Sequence, residues 1–337
     1  MNLGKVRQAL TAQEIFDLIH DDLVEVERKL SAESVASVDT VTAIGQYLHS
    51  AGGKRLRPAL LILSARLASG DSARTPATAI HLGAVVELIH AATLVHDDVI
   101  DAAQTRRGRP SSNARWGNHT CVLAGDWLYM QAFQIALRER NFATLDLLIG
   151  LTQIMVEGEL LQLDRIGRID VSAPDCMELV DRKTARLFSV CARLGALTAG
   201  GGAALQERLG EYAWNLGMAF QLVDDVLDFT AREGTLGKPV GGDLREGKVT
   251  LPLVYALERA TPAERRLVRT VLEDRSYQTV PFARILDLLE KYRAIERVRE
   301  RAQAFTGKAR TLISEFPDSP YQRALLAVTG LVTERDH

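Results

Sequence analysis

Apolar residues recur at three-and-four spacing along most of this chain, the period of an amphipathic helix. The stretch 81–101, HLGAVVELIHAATLVHDDVID, keeps that period without a proline. The stretches 120–140, 144–164, 178–199, 207–230 and 251–260 repeat it, and the tail 280–335 is helical with breaks at Pro317 and Pro320. Strand-like alternation is nearly absent, so a parallel sheet has no material to build it. Prolines fall where helices are expected to begin or end: Pro58, Pro110, Pro174, Pro239, Pro252 and Pro262. The glycines at 200–202 read as a helix–helix turn, whereas 234–248, GTLGKPVGGDLREGK, is a longer and more charged loop. Loops of that length are uncommon unless they carry function. No internal repeat or low-complexity linker divides the chain. The expectation is one all-α domain over 1–337, a bundle around a deep cavity with one or two central helices buried on several sides.

Composition narrows the function classes. Lys+Arg 41 against Asp+Glu 43 leaves −2, so no bulk positive field argues for nucleic acid. Any phosphate binding must come from local clusters. The three cysteines, Cys121, Cys176 and Cys191, have no CxxC spacing, which gives no zinc site and fits a reducing compartment. The first residues, MNLGKVRQALTAQEIFDLIHDDL, carry charge where a signal peptide needs an apolar run. No stretch of about 18 uninterrupted apolar residues is present, so a membrane-spanning helix is not expected and the location expected is cytoplasmic.

Two acidic clusters each follow an apolar helical stretch. Asp97, Asp98 and Asp101 stand in HDDVID after ELIHAATLV; Asp224, Asp225 and Asp228 stand in QLVDDVLDF after WNLGMAF. Residues four apart share a helix face, so Asp97 pairs with Asp101 and Asp224 with Asp228. Asp98 turns away by about 100°. Carboxylates crowded at the end of an apolar stripe repel one another and resist desolvation. A hard divalent cation relieves both, and an all-oxygen site suits Mg²⁺, which keeps open positions for water and substrate phosphates. The similar His20-Asp21-Asp22 lacks a third carboxylate and an apolar lead-in, and reads as surface.

Basic motifs accompany the acids. Gly52-Gly53-Lys54-Arg55-Leu56-Arg57-Pro58 precedes the apolar ALLIL, so a helix start with free N–H groups stands beside Lys54 and Arg57. Arg106, Arg107 and Arg109 follow the first acidic cluster within reach of the same cavity mouth. Lys183-Thr184 sits midway along a helical stretch, and Lys238 and Lys248 flank the second glycine-rich loop. His90 lies seven residues before Asp97, on nearly the same helical face.

The segments GGKRLRP, ELIHAATLVHDDVID, RRGRP, LAGDWL, KTARLF, FQLVDDVLDF and GKPVGGDLREGKVTLP stand in the order seen in trans-type polyprenyl diphosphate synthases. The chain resembles that family strongly from about residue 45 to 255. Its tail, SPYQRALLAVTGLVTERDH, is similar to that of the bacterial octaprenyl members. The resemblance implies an isoprenoid synthase fold, a homodimer, three Mg²⁺ ions and head-to-tail condensation of isopentenyl diphosphate with an allylic diphosphate. By the same resemblance, Lys54, Arg57, His90 and Arg107 hold isopentenyl diphosphate. Asp97 and Asp101 ligate two Mg²⁺ and Asp224 the third, with Asp98, Asp225 and Asp228 in support. Arg106, Lys183, Thr184, Gln221, Lys238 and Lys248 hold the allylic diphosphate, and Lys183 and Lys238 stabilise the leaving group. Gly242 departs from the Asn or Asp of many relatives, with Asp243 retained.

In this family, bulky residues four or five positions before the first aspartates close the product tunnel early. Here those positions hold Ala92 and Thr93, with deeper barriers expected at Tyr129, Phe133 or Leu148. The expectation is a long product of about C40, made from farnesyl diphosphate for a quinone side chain; the alternative is a shorter-chain synthase. A terpene cyclase needs no second diphosphate site, a phosphohydrolase leaves Asp224–Asp228 idle, and a non-catalytic partner subunit does not need both acidic motifs intact.

Overall fold

The computed structural model describes residues 10–50, 55–70, 75–231 and 240–333. In chain order its helices are α1 (Ala12–Asp17), α2 (His20–Glu33), α3 (Asp39–Ser50), α4 (Leu56–Ala68), α5 (Ala77–Ile100), α6 (Ser112–Trp116), α7 (Asn118–Arg138), α8 (Phe142–Arg165) and α9 (Ala173–Val180). They continue as α10 (Arg186–Thr198), α11 (Ala203–Thr230), α12 (Gly242–Arg245), α13 (Leu251–Leu257), α14 (Pro262–Asp274), α15 (Phe282–Lys291), α16 (Ala294–Ser314) and α17 (Pro320–Thr333). Among the described residues the only strands form a two-residue antiparallel hairpin, β1 (Thr105–Arg106) against β2 (Arg109–Pro110). The all-α expectation holds.

Local sequence sets most helix starts. Thr261 and Ser172 close capping boxes with Glu264 and Asp175, and Pro262 and Pro174 fall in the first turns that follow. Pro252 and Pro58 also sit in first turns, while Pro110 lies in the hairpin; Pro239 lies outside the described residues. Gly200 takes φ +76 in the turn between α10 and α11, as the glycine run predicts. One break carries no proline signal: the tail turns between α15 and α16 at Arg293, which itself adopts φ +50.

The core is built on α4, α5, α10 and α11. Residues 58–65 of α4 are buried without interruption, and α11 is buried along most of its second half. Buried apolar side chains from Ile15 to Val332 form one connected cluster. By length and composition α5 is apolar enough to cross a membrane, yet 72% of its most apolar window is buried inside the protein. The few polar residues within it hid this from a search for unbroken apolar runs, and packing accounts for its character. His20 and Asp21 are exposed as expected, but Asp22 accepts a hydrogen bond from Thr75 Oγ1 at 2.5 Å and so ties α2 to the start of α5.

Close packing of α10 on α4 depends on Gly195. A Cβ there meets Leu61 O at 2.3 Å and Ala65 N at 2.9 Å, both backbone atoms that cannot swing aside. Gly195→Ala is therefore expected to destabilise the protein by about 1–3 kcal/mol. The check is a thermal melt against wild type; an unchanged Tm contradicts this helix–helix approach.

Candidate active site

The acidic segment of α5 faces a cleft of about 720 Å³, walled on the other sides by α7, α8, α11 and residues 243–250. His90, Thr93, Asp97 and Asp101 line it, at the three- and four-residue spacing of one helix face. Asp98 points the other way, into protein. It is fully buried, accepts a hydrogen bond from Arg106 Nε at 2.6 Å and another from the Ser112 backbone N–H at 3.2 Å. The first acidic cluster thus divides as its spacing predicts. Two carboxylates face the cleft and the third anchors the arginine hairpin behind them.

The second cluster divides differently from expectation. Gln221 and Asp225, also four apart, are the α11 residues on the cleft, joined by a Gln221 Nε2 to Asp225 Oδ1 bond at 3.0 Å. Asp224 is half-buried and outside that lining, although its charge acts on Arg57. Asp228 is buried and accepts the backbone N–H groups of Gly242 and Asp243, each at 3.2 Å. The spacing fixes which aspartates share a face but not how α11 is rotated about its axis; packing decides that. Asp228 repeats the task of Asp98, because each holds the loop that follows its helix. Gly242 serves as a backbone donor there, so this position works without the side chain many relatives carry.

Burial shapes the charges in the cleft. The Asp97 carboxyl is pushed up to about 6 by burial; Lys183 opposes the rise, and Glu159 and Asp101 add to it. Asp225 is driven well above the usual carboxylate range by burial, with Asp243 adding to the effect. These are hard oxygen donors that resist ionisation until a cation joins them. Among the described residues, no three His, Cys, Asp or Glu groups form a closed metal cage. Such a half-built set fits a hard divalent ion that completes its shell with water and substrate phosphate.

The basic residues also separate into two groups. Arg57, His90 and Arg107 converge on one end of the cleft. His90 is held neutral by burial and by Arg57 and Arg107 beside it, and Arg57 Nε is buried with no hydrogen-bond partner. That is a desolvated positive pocket shaped for an anion. Lys183 lines the same cleft near Asp97, paired with Glu159 and donating to Gln162 Oε1 at 3.0 Å. Thr184 Oγ1 donates to Gln221 Oε1 at 2.8 Å. Lys183 and Thr184 are carried on a π-helical turn, Asp181–Ala185, between α9 and α10, where plain helix was expected. Gly158 of α8 allows that turn to approach, since a Cβ there meets Arg182 Cβ at 2.8 Å. Such turns often mark functional positions.

Two expected ligands are committed elsewhere. Lys248 does line the cleft, but it donates to Asp101 Oδ2 at 2.9 Å and Glu246 Oε2 at 2.8 Å rather than standing open to a phosphate. Arg106 is tied to Asp98. Lys54 and Lys238 lie outside the described residues. Glu159, Gln162, Asp243 and Glu246 line the cleft and were not read from the sequence. Glu159 and Gln162 carried no distinguishing signal, since helix 144–164 also holds Asp146, Gln153, Glu157 and Asp164.

The expected tunnel residues also divide. Thr93 and Tyr129 line the cleft with Met155, Val156 and Leu160. Ala92 is fully buried in the core, Leu148 likewise, and Phe133 is half-buried outside the lining. Thr93 shares a face with Asp97; Ala92, one residue earlier, is turned about 100° from it. Of the five expected positions, Thr93 and Tyr129 line this cleft and Ala92, Phe133 and Leu148 do not.

Linkage follows from the raised Asp97. Without divalent cation, its contribution to stability is full below about pH 4 and is lost as pH rises through about 6. Asp97→Asn removes that loss. In EDTA the variant is expected to be more stable than wild type at about pH 7.5, by about 1–3 kcal/mol, with the gap closed near pH 4. Urea melts at the two pH values check this; a pH-independent difference contradicts it.

The comparisons agree with the cleft. Residues 38–289 match the family model described as polyprenyl synthetase. The chain is 35% identical over 336 residues to octaprenyl diphosphate synthase of Escherichia coli (strain K12), covering 100% of both. It is 34% identical over 311 residues to a short chain isoprenyl diphosphate synthase of Methanothermobacter thermautotrophicus, covering 90% of this chain and 94% of that one. A crystal structure of polyprenyl synthase from Caulobacter crescentus CB15, complexed with calcium and isoprenyl diphosphate, superposes with a TM-score of 0.91 at 34% identity, covering 98% of this chain and 100% of that chain. With both sequence and fold matched end to end, the chain belongs to the polyprenyl synthetase family and is a prenyltransferase of the trans-prenyl diphosphate synthase type.

Proposed function

We propose that the protein condenses isopentenyl diphosphate head to tail with an allylic diphosphate, farnesyl diphosphate serving as primer. The product is an all-trans polyprenyl diphosphate of about C40 for a quinone side chain. The observation that carries the reading is one cleft lined by Arg57, His90 and Arg107, by the carboxylates of Asp97, Asp101 and Asp225 with Lys183, and by apolar side chains such as Met155, Val156 and Leu160. Arg57, His90 and Arg107 take the isopentenyl diphosphate; Asp97, Asp101, Asp225 and Lys183 face the allylic diphosphate. Octaprenyl synthase likeness supports the longer product, and the short-chain relative keeps the shorter one as the alternative.

The residues present fit Mg²⁺, with Asp97 and Asp101 as ligands for two ions and Asp224 beside Asp225 for a third. When bound, the metal supplies Lewis-acid stabilisation of the charge that develops on the leaving diphosphate. Lys183, fixed by Glu159 and Gln162, adds preorganised positive charge at that end. The allylic C–O bond breaks with its electron pair leaving on the diphosphate. The double bond of isopentenyl diphosphate attacks the allylic cation to form the new C–C bond. The resulting cation gives a proton to the departing diphosphate, the base the reaction itself supplies, as a new double bond forms. No side chain serves as nucleophile: burial pushes the thiols of Cys121, Cys176 and Cys191 up to about 11, 12 and 12, so they stay protonated. Apolar walls from α5 and α8 keep water from the cation, and holding both diphosphates in one cleft lowers the entropic barrier.

The same reading includes a homodimer. Leu123, Met130 and Leu137 recur every seventh residue along α7, and Phe142, Ile149, Val156 and Leu163 do so along α8; all are exposed. A continuous apolar stripe of this kind on a helix pair needs a cover, and a second copy offers the matching stripe.

Incubation with farnesyl diphosphate, labelled isopentenyl diphosphate and Mg²⁺ is expected to give elongated diphosphates. Cyclic hydrocarbon, free phosphate or no product sinks the reaction assigned here. In the same assay, sized by chromatography, Thr93→Phe is expected to shorten the products to about C15–C20, one helical turn of about 5.4 Å matching roughly one isoprene unit. An unchanged length removes Thr93 from the path. For assembly, sedimentation is expected to give a dimer that Met130→Glu converts to monomer; a wild-type monomer refutes the stripe's role.

A further inference from the structure

Within the GGKRLRP segment, Arg55 and Arg57 are two residues apart and have opposite surroundings. Arg55 precedes α4 with φ +43, a left-handed conformation uncommon for any residue but glycine. Its guanidinium is bracketed by two carboxylates. Nε and Nη2 engage Glu27 of α2, the latter at 3.1 Å, and Nη1 donates to Glu87 Oε2 of α5 at 2.8 Å. Glu87 is 6% exposed and stands one helical turn before His90. It is also close enough to Arg57 for its charge to act there. Arg57 Nε meanwhile has no partner. A buried carboxylate therefore stands near a buried guanidinium whose Nε has no hydrogen bond and whose face lies over Phe188, and is bound to a different arginine.

A carboxylate that rotated onto Arg57 would fill its donors and cancel the charge an incoming anion needs. Two things oppose that rotation. Arg55 already satisfies Glu87, and Glu27 on the far side prevents Arg55 from drifting toward the cleft. The strained backbone at Arg55 aims its side chain at both acids at once.

We propose that Arg55 is a positioning residue for the anion pocket: with Glu27 it holds Glu87 away from Arg57, and so keeps the Arg57, His90 and Arg107 end of the cleft open to a diphosphate. The identity of that diphosphate rests on the proposed function; the charge argument needs only an anion.

The test compares Arg55→Leu, Glu87→Gln and the double variant Arg55→Leu/Glu87→Leu in full-length protein. Steady-state kinetics give one readout, and calorimetric binding of inorganic pyrophosphate in EDTA gives a second that needs no turnover. Arg55→Leu is expected to raise KM for isopentenyl diphosphate and weaken pyrophosphate binding, each by about tenfold or more. kcat and KM for the allylic substrate should stay within about twofold. The double variant is expected to restore both quantities, because removing a buried pair whole leaves no free carboxylate. Glu87→Gln alone is expected to leave anion affinity intact. Should Arg55→Leu not fold, the double variant decides: wild-type affinity supports the proposal. Weak binding in a folded double variant overturns it, since Arg55 then matters beyond restraining Glu87. Unchanged affinity in Arg55→Leu overturns it as well, as does a parallel loss of kcat and both KM values. Pyrophosphate binding that follows the expected pattern in a protein that makes no prenyl product refutes the reaction and leaves this pocket standing.

Discussion

Carboxylates buried near one another at the ends of apolar helices cannot all ionise without a counter-charge, and the cleft is arranged around that difficulty. Asp97 and Asp225 are both held above the ordinary carboxylate range, chiefly by burial. Protein cations relieve the strain only in part. Lys248 bridges Asp101 and Glu246, and Lys183 is taken by Glu159. What is left over is negative, desolvated and built of hard oxygens, so a divalent cation with a diphosphate attached is the ligand that completes it. Apolar packing of α5 and α11 is what brings these acids to a common cleft and keeps them dry.

A division of labour follows. In each acidic motif one carboxylate turns from the cleft and binds backbone or hairpin: Asp98 holds Arg106 and Ser112, and Asp228 holds Gly242 and Asp243. The loops after both helices are thus registered by the same motifs that supply the cleft's acids. The cations divide in parallel. Arg55 and Arg106 are spent on carboxylates, whereas Arg57 lines the cleft beside a neutral His90 with its Nε free of hydrogen bonds. Separating the two signs of charge within one cavity gives two diphosphates distinct places, which a reaction between two such substrates requires.

Much of this was legible in advance. The period of the apolar residues gave the helices that carry both acidic motifs, and the four-residue spacing gave Asp97 with Asp101 and the turning away of Asp98. At α11 the spacing gave which residues share a face but not which face meets the cleft, where Gln221 and Asp225 line it rather than Asp224 and Asp228. The π turn carrying Lys183 and Thr184 was not foreseen either, since the close contact of α8 at Gly158 with Arg182 joins segments distant in sequence. Arg106 and Lys248 looked like phosphate ligands because a basic residue in a motif carries no mark of which acid it will meet.

By itself, the sequence determined the helical class, the order of the motifs and the chemistry of the residues in them, because periodicity and composition are local properties of the chain. Only the tertiary structure decided which face of each long helix the cleft sees and which charges are neutralised by protein. It also decided that Thr93 lines the cleft while Ala92 is buried in the core. Helix rotation and ion pairing between segments far apart in sequence, such as Asp101 with Lys248 or Glu27 with Arg55, depend on how buried surfaces fit together, and no local pattern encodes that fit.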